Sequence, residues 1–256
     1  MKHPFNAIVA TLMLSVSPTA YASELPAHIK SALTHPDRPA EDLTRDVGRK
    51  PGEILTFAGL KEGMTVVDVN SAGGYYTEIL SRAVGETGKV YAQNDPTYRS
   101  YLTTEQMEKR YGSGRLPNVS VLDTPSDPIT AEPNTIDLIT IMLAFHDYYY
   151  KTEARNNNHA DVDSVVASLF AITKPGGHVV VIDHVGPDEG DPDLWNTLHR
   201  ISPKLTQQLF ERAGFKLVKT SNALENPNNP SDLSPFDPKF RGQTNRFIHL
   251  YQKPTP

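Results

Sequence analysis

The chain has 256 residues, enough for one large α/β domain with its own core, and no cysteine, so it can form no disulfide and carry no lipid-modified cysteine. Its net charge of −5 comes without a basic stripe, which argues against nucleic acid as a partner.

The N-terminus reads as a secretory signal. Met1-Lys2-His3 is weakly basic, residues 7–16 are mostly apolar but too few to span a bilayer, and Ala20-Tyr21-Ala22 is a small-x-small cleavage site. The mature protein is therefore expected to begin at Ser23, to be exported (periplasmic or secreted) and to keep no stable membrane anchor. Residues 23–63 form a helical lead-in. Leu43 and Val47, then Ile54, Leu55 and Ala58, predict two short helices separated by Pro51, which no helix interior tolerates well. They could cover the ligand side or cap the sheet edge.

The main domain, 64–256, opens with MTVVDVNSAGGYYT. Residues 65–69 are a strand fit for burial in a parallel sheet. Ser71-Ala72-Gly73-Gly74 is a turn of small side chains that a ligand can approach closely. Tyr76, Ile79, Leu80, Ala83 and Val84 then mark one face of a helix. Strand, glycine turn and helix together hold nucleotide-like ligands, using the unpaired N–H groups at the helix start. Residues 89–93 are a second strand ending in Asn94 and Asp95, about 20 residues past the glycines, where dinucleotide folds place a ribose-binding acid. A helix over 98–111, a third strand at 119–122 ending in Asp123, and an apolar fourth strand at 136–143 follow. The fourth runs into Ala144-Phe145-His146-Asp147-Tyr148-Tyr149-Tyr150. Val162, Val165, Val166, Leu169 and Phe170 predict a helix, Lys174-Pro175-Gly176-Gly177 a turn, and 178–183 a fifth strand ending at Asp183 and His184. The acidic run at 188–193 lacks the spacing of a calcium loop and reads as solvated loop. Ser202-Pro203 opens a helix that Gly214 ends. Two strands, 215–220 and 246–252, flank a long Asn- and Pro-rich connection, either a lid carrying Arg241 and Arg246 or an inserted surface loop. Alternating strands and helices give a mostly parallel sheet covered on both faces.

VVDVNSAGGYYTEIL, GKVYAQND, DLITIMLAFHD, ITKPGGHVVVIDH, FERAGFKLVKT and NRFIHLYQK, in this order, resemble the class I S-adenosylmethionine-dependent methyltransferases from about residue 40 onward. Within them the chain is similar to a branch of exported methyltransferases with a histidine-aspartate pair after the fourth strand. The resemblance implies a Rossmann-like, doubly wound sheet of seven strands, the last antiparallel, with S-adenosylmethionine as cofactor over the carboxyl edge. Asp68, Ala72, Gly73 and Gly74 would line its methionine end, Asp95 (or Asn94, which the strict alignment selects) its ribose, and Asp123 its adenine. Asn70 and Ala72 stand where the usual D-x-G-x-G-x-G loop has glycines.

Such folds transfer a methyl group from sulfonium to a nucleophile in line, largely by positioning. The expected acceptor is an oxygen or nitrogen of a small molecule. A base, where needed, is best supplied by a neutral imidazole, and His146 with Asp147 is the candidate catalytic pair. Asp147, Asp183 and His184 could also ligate a hard cation, but the branch offers no metal pattern to match, and no metal is expected. The competing expectation is an exported binding protein that keeps the sheet without catalysis, since the methyl donor is made in the cytosol.

Overall fold

A computed structural model describes residues 24–126 and 128–256. The signal segment expected at 1–22 and its cleavage before Ser23 lie outside the described residues. Strands β1 (Thr65–Val69), β2 (Lys89–Asn94), β3 (Val119–Asp123), β4 (Ile136–Met142), β5 (Thr173–His184), β6 (Lys216–Ser221) and β7 (Arg246–Gln252) form one sheet in the order β3-β2-β1-β4-β5-β7-β6. The first five pair in parallel, and β7 runs antiparallel to both β5 and β6. This is the expected Rossmann-like arrangement. Its strand order reverses between β1 and β4, so the crevice for a ligand lies at their carboxyl ends.

The inner strands β1, β4, β7 and the second half of β5 are mostly buried because both faces are covered, whereas the edge strands β3 and β6 are not. Helices α1 (Ala27–Leu33), α3 (Pro51–Phe57) and α4 (Tyr75–Val84) pack Ile29, Leu55, Ile79 and Leu80 against Val66, Leu138, Val180 and Ile182. On the other face, α7 (Val162–Ile172) and α9 (Pro203–Arg212) pack Val165, Leu169, Leu209 and Phe210 against Val67, Ile139, Val179 and Val181. The lead-in thus shares a core with the sheet.

Four local expectations are corrected. Leu43 and Val47 do not form the inward face of α2 (Ala40–Arg49): they are 46% and 85% exposed. That helix is held instead by charge, through Asp42 to Arg110 at 2.7 Å and Asp46 to Arg38 at 2.8 Å. The helix expected over 98–111 is two, α5 (Pro96–Ser100) and α6 (Thr104–Tyr111), because Thr103 and Gln106 form a capping box that starts a new helix. Lys174–Gly177 is an irregularity inside β5, where the register against β4 shifts between Ile136 and Leu138. The acidic run at 188–193 leads into a helix, α8 (Pro192–Leu198), whose N-cap Asp191 accepts from the Leu194 N–H at 2.9 Å.

Candidate active site

The loop after β1 is stitched by its own side chains. Asp68 is buried and accepts from the Thr77 hydroxyl at 2.7 Å and the Thr140 hydroxyl at 2.8 Å, so both its oxygens brace α4 and β4 rather than face a ligand. Burial outweighs these bonds and the weaker pull of Arg49, and pushes its carboxyl up to about 6. Asn70 and Ala72, in place of two glycines, both have φ of +48°, so the left-handed turn survives the substitutions. Asn94 accepts from the Ala72 N–H at 2.8 Å and donates to the Ser71 hydroxyl at 3.2 Å. Asp95 caps α5 through the Tyr98 N–H at 3.0 Å and pairs with Arg155 at 2.7 Å. Each side chain expected at the ribose therefore has protein partners. Gly74 has φ of +76°, and a Cβ there would collide with the Tyr111 hydroxyl. Its glycine answers to packing, not to a ligand. Gly73 is different: nothing lies within 4 Å of where its Cβ would be. Asp123, at the end of β3, is half exposed and pairs with Arg99 at 3.0 Å.

The carboxyl ends of β4 and β5 carry charge instead. Leu143 leaves β4 with φ of +61°, and His146 and Asp147 lie in a one-turn 3-10 helix, His146–Tyr149. The strand has ended before the pair, so its members are free of the strand rule that adjacent side chains point to opposite faces. The fully buried Asp183 accepts from the His146 N–H at 2.8 Å and from the His184 N–H at 2.7 Å, and bonds His146 Nδ1 at 2.7 Å. Asp147 Oδ1 lies 3.3 Å from His146 Nε2 and 3.6 Å from His199 Nδ1, and the Tyr98 hydroxyl donates to its Oδ2. Burial disfavours a charged imidazole, but Asp147 and Asp183 outweigh it and push His146 up to about 9. The expected neutral base is thus corrected: His146 is a cation at neutral pH, with a carboxylate at each ring nitrogen. Asp147 is held below its usual value because His146, His199 and Tyr98 together overcome its burial. His184 is pushed well below 6.5, by burial and then by the His146 charge.

In front of this edge lies a cavity of about 900 Å³, bordered by His146, Asp147 and His184, by α2, and by 235–246 of the β6–β7 connection. Arg45, Arg49, Arg241 and Arg246 all line it. The buried Arg246 guanidinium donates to the carbonyls of Thr244 and Gly48, at 3.2 and 2.8 Å, while Arg49 lies 4.8 Å over the Tyr75 ring. Among the described lining residues the single carboxylate is Asp147, already engaged. An adjoining cavity of about 270 Å³ is bordered by Tyr98, Asp147, Tyr150, Arg155, His199 and Phe236.

The connection is therefore neither a free lid nor a decoration. The buried Arg200 fastens it, donating to Leu233 O at 2.6 Å and Asn229 Oδ1 at 2.8 Å. The alternative cation set, Asp147, Asp183 and His184, does not converge, because the Asp183 carboxylate is spent on His146 and the His184 N–H. His146, Asp147 and His199 come together instead. Arg45, Arg49, Tyr98 and Arg155 were missed as site residues. The signal available for the first two was their four-residue spacing, which puts both arginines on one face of a helix.

A model of the ubiE/COQ5 methyltransferase family matches residues 47–189, more than half of the chain. The chain belongs to this family. It is 28% identical over 133 residues to the ubiquinone/menaquinone biosynthesis C-methyltransferase UbiE of Escherichia coli O1:K1, covering 52% of this chain and 47% of that protein. The chain thus spans about half the length of the curated relatives it matches. Its fold is similar to that of a SAM-dependent methyltransferase from Aquifex aeolicus, with a TM-score of 0.56 and 23% identity over 87% of this chain and 97% of the other. It is also similar to the [4+2]-cyclase SpnF, with a TM-score of 0.59 and 14% identity over 82% of each chain. A cyclase on the same fold means that fold alone does not decide the reaction. The family does decide the class: this is a class I S-adenosylmethionine-dependent methyltransferase, an enzyme whose family and fold imply S-adenosylmethionine as cofactor. The residues fit that cofactor in two respects, the open side of Gly73 and the Asn70 side-chain nitrogen, which is buried without a hydrogen-bond partner beside the same loop.

Proposed function

We propose that this enzyme methylates an oxygen or nitrogen of a small anionic molecule held in the arginine-lined cavity. The observation that carries the reading is four arginines around one cavity whose only described lining carboxylate is already engaged by His146, His199 and Tyr98. Arg45 pairs with Asp42 at 3.6 Å, but the other three have no acid partner among the described residues. Gathered arginines short of counter-charge are costly to keep, and an anionic ligand removes that cost. The bound donor supplies an electrophilic methyl group. Gly73 and Asn70 would hold it, with Asn94 and Asp95 exchanging their present partners for its ribose.

The chain's own residues then position and polarise the acceptor. The arginines favour its anionic form, so a carboxylate or phenolate arrives as the nucleophile and needs no separate base. His146 and Asp147, at the end of the strand beside β1, fix the polar end of the cavity, and His146 contributes charge rather than proton uptake. The neighbouring Phe236, 60% exposed, offers the acceptor an apolar contact.

Calorimetry with S-adenosylmethionine and its demethylated product tests donor use. A screen of carboxylates and phenolates with isotopically labelled donor then tests acceptor class, and NMR of the labelled methyl group reads whether it sits on oxygen, nitrogen or carbon. Arg49→Ala should raise KM for the anionic acceptor roughly 10–100-fold, the worth of a charged hydrogen bond, with donor affinity little changed. Turnover of neutral molecules alone, or a methyl group on carbon, overturns the acceptor assignment. We also propose export with cleavage before Ser23, for which the small residues at Ala20 and Ala22 speak. Exported protein that retains Met1 in its mass spectrum would contradict it.

A further inference from the structure

We propose that His146, Asp147 and His199 form a divalent-metal site of two imidazoles and one carboxylate, opening on the acceptor cavity. One ligand atom from each of the three residues lies within 4.8 Å of the others. Asp147 Oδ1 is 3.3 Å from His146 Nε2 and 3.6 Å from His199 Nδ1. Ligands bound tetrahedrally at 2.0–2.1 Å from an ion stand about 3.3 Å apart, so the first separation already suits one and the second needs only a small movement of His199.

The surroundings prepare each ligand. Asp183 bonds His146 Nδ1 at 2.7 Å and receives its backbone N–H at 2.8 Å, which fixes the ring with Nε2 toward Asp147; the ion would take the place of the proton that Nε2 carries in the metal-free protein. A carboxylate behind the ligating histidine is the usual outer support of a metal ligand. The Tyr98 hydroxyl takes Asp147 Oδ2, leaving Oδ1 as a single-oxygen ligand. His199 ends α8 with φ of +52°, a conformation unfavourable for a non-glycine residue, and its ring is held between Tyr150 and Phe236, with centroids at 5.3 and 5.1 Å. Strain of this kind gathers at functional sites.

Access completes the case. His146 and Asp147 border the larger cavity, and Asp147 and His199 the smaller, so an ion can enter and keep a coordination position that no side chain fills. Three protein ligands with an open position mark a catalytic rather than a structural site. Two nitrogens and one oxygen favour zinc or another first-row transition ion over calcium or magnesium. Resting on the acceptor reading above, the ion would hold the acceptor's oxygen and lower its proton affinity. Binding of the ion itself does not depend on that reading.

Chelator-treated, dialysed protein titrated with Zn²⁺ by calorimetry tests the site. One equivalent should bind at micromolar Kd or tighter, and His199→Ala and Asp147→Asn should each weaken it at least tenfold. Arg212→Ala, which removes an exposed pair with Asp163 and borders neither cavity, should leave it unchanged. Anomalous scattering at the zinc edge should place the ion among the three side chains. Because His146→Ala removes a buried partner of Asp183, the two variants on the cavity wall carry the test. No stoichiometric binding, or binding that ignores both substitutions, overturns the proposal. S-adenosylmethionine titrated into a parallel zinc-free sample separates the two readings: a protein that binds donor but fails to bind zinc defeats only the metal site, and one that binds zinc but fails to bind donor defeats only donor use.

Discussion

Two regions of the carboxyl edge meet similar demands with different chemistry. At the loop after β1, Asn94, Ser71, the Asn70 carbonyl oxygen and the two threonines around Asp68 are held by hydrogen bonds to uncharged groups. At the ends of β4 and β5, Asp183, His146 and Asp147 do so as charges. Each region bends non-glycine backbone into the left-handed region, Asn70 and Ala72 in one, Leu143 in the other. A buried carboxylate bonded only by hydroxyls rises to about 6, as Asp68 does, whereas Asp147 with imidazoles beside it is held down. Partner charge, as well as depth, decides which way a buried acid is shifted.

The largest effect should come from breaking the charged region at its base. Asp183→Ala strips His146 of a buried partner and should cost about 3–5 kcal/mol, seen as a fall in Tm of roughly 6–20 °C. Asp147→Asn, on the cavity wall, should cost much less stability. Equal losses would dissolve the distinction between base and wall.

Next come two pH windows of comparable size, one for each region. Asp68 binds its proton more tightly folded than unfolded, so its stabilisation is present below about 4 and is lost as pH rises through 6, by roughly 3 kcal/mol. Asp68→Asn should remove that slope from the unfolding free energy measured against pH. His146, raised from 6.5 to about 9, gives stability that is complete below 6.5 and lost as pH rises through 9, again roughly 3 kcal/mol. His146→Gln should flatten that second window and leave the first. A wild-type curve level from pH 4 to 9 would refute both assignments.

The smallest effect sharpens the neutral side. Ala72→Gly relieves a left-handed alanine and should stabilise by up to about 1 kcal/mol in denaturant unfolding. Asn70→Gly should not, because it deletes the bond from the Asp95 N–H to Asn70 Oδ1 at 3.1 Å.

The sequence made these regions legible to different depths. Strands and the helices at 75–84 and 162–172 could be read because apolar side chains recur at the period of their element, and the helix at 203–212 because Ser202-Pro203 and Gly214 mark its ends. Helices α1 and α8 could not: each is seven residues long, and the acids that start α8 look like loop. In α2, Leu43 and Val47 gave the wrong face because charges, which carry no periodic signature, decide its packing. At the site, His146, Asp147, Asp183 and His184 were visible as pairs at strand ends. Their pairing with one another, and the approach of Tyr98, His199 and the arginines of α2, depend on contacts across many residues of chain. The substitutions at Asn70 and Asn94 were plain in the sequence. That Asn94 turns back onto the Ala72 N–H was not.

The antiparallel β7 has a consequence for descent. Because β6 ends and β7 begins at the same edge, the segment joining them is a detachable panel. Its ends are already clasped by Arg246 N–H to Leu224 O at 3.2 Å and Asn226 N–H to Asn245 Oδ1 at 2.9 Å. Doubling the length of such a segment costs only about 0.6 kcal/mol in closure entropy. Lineages can therefore trade one panel for another and take up new acceptors while the strand edge that meets the methyl donor is inherited unaltered.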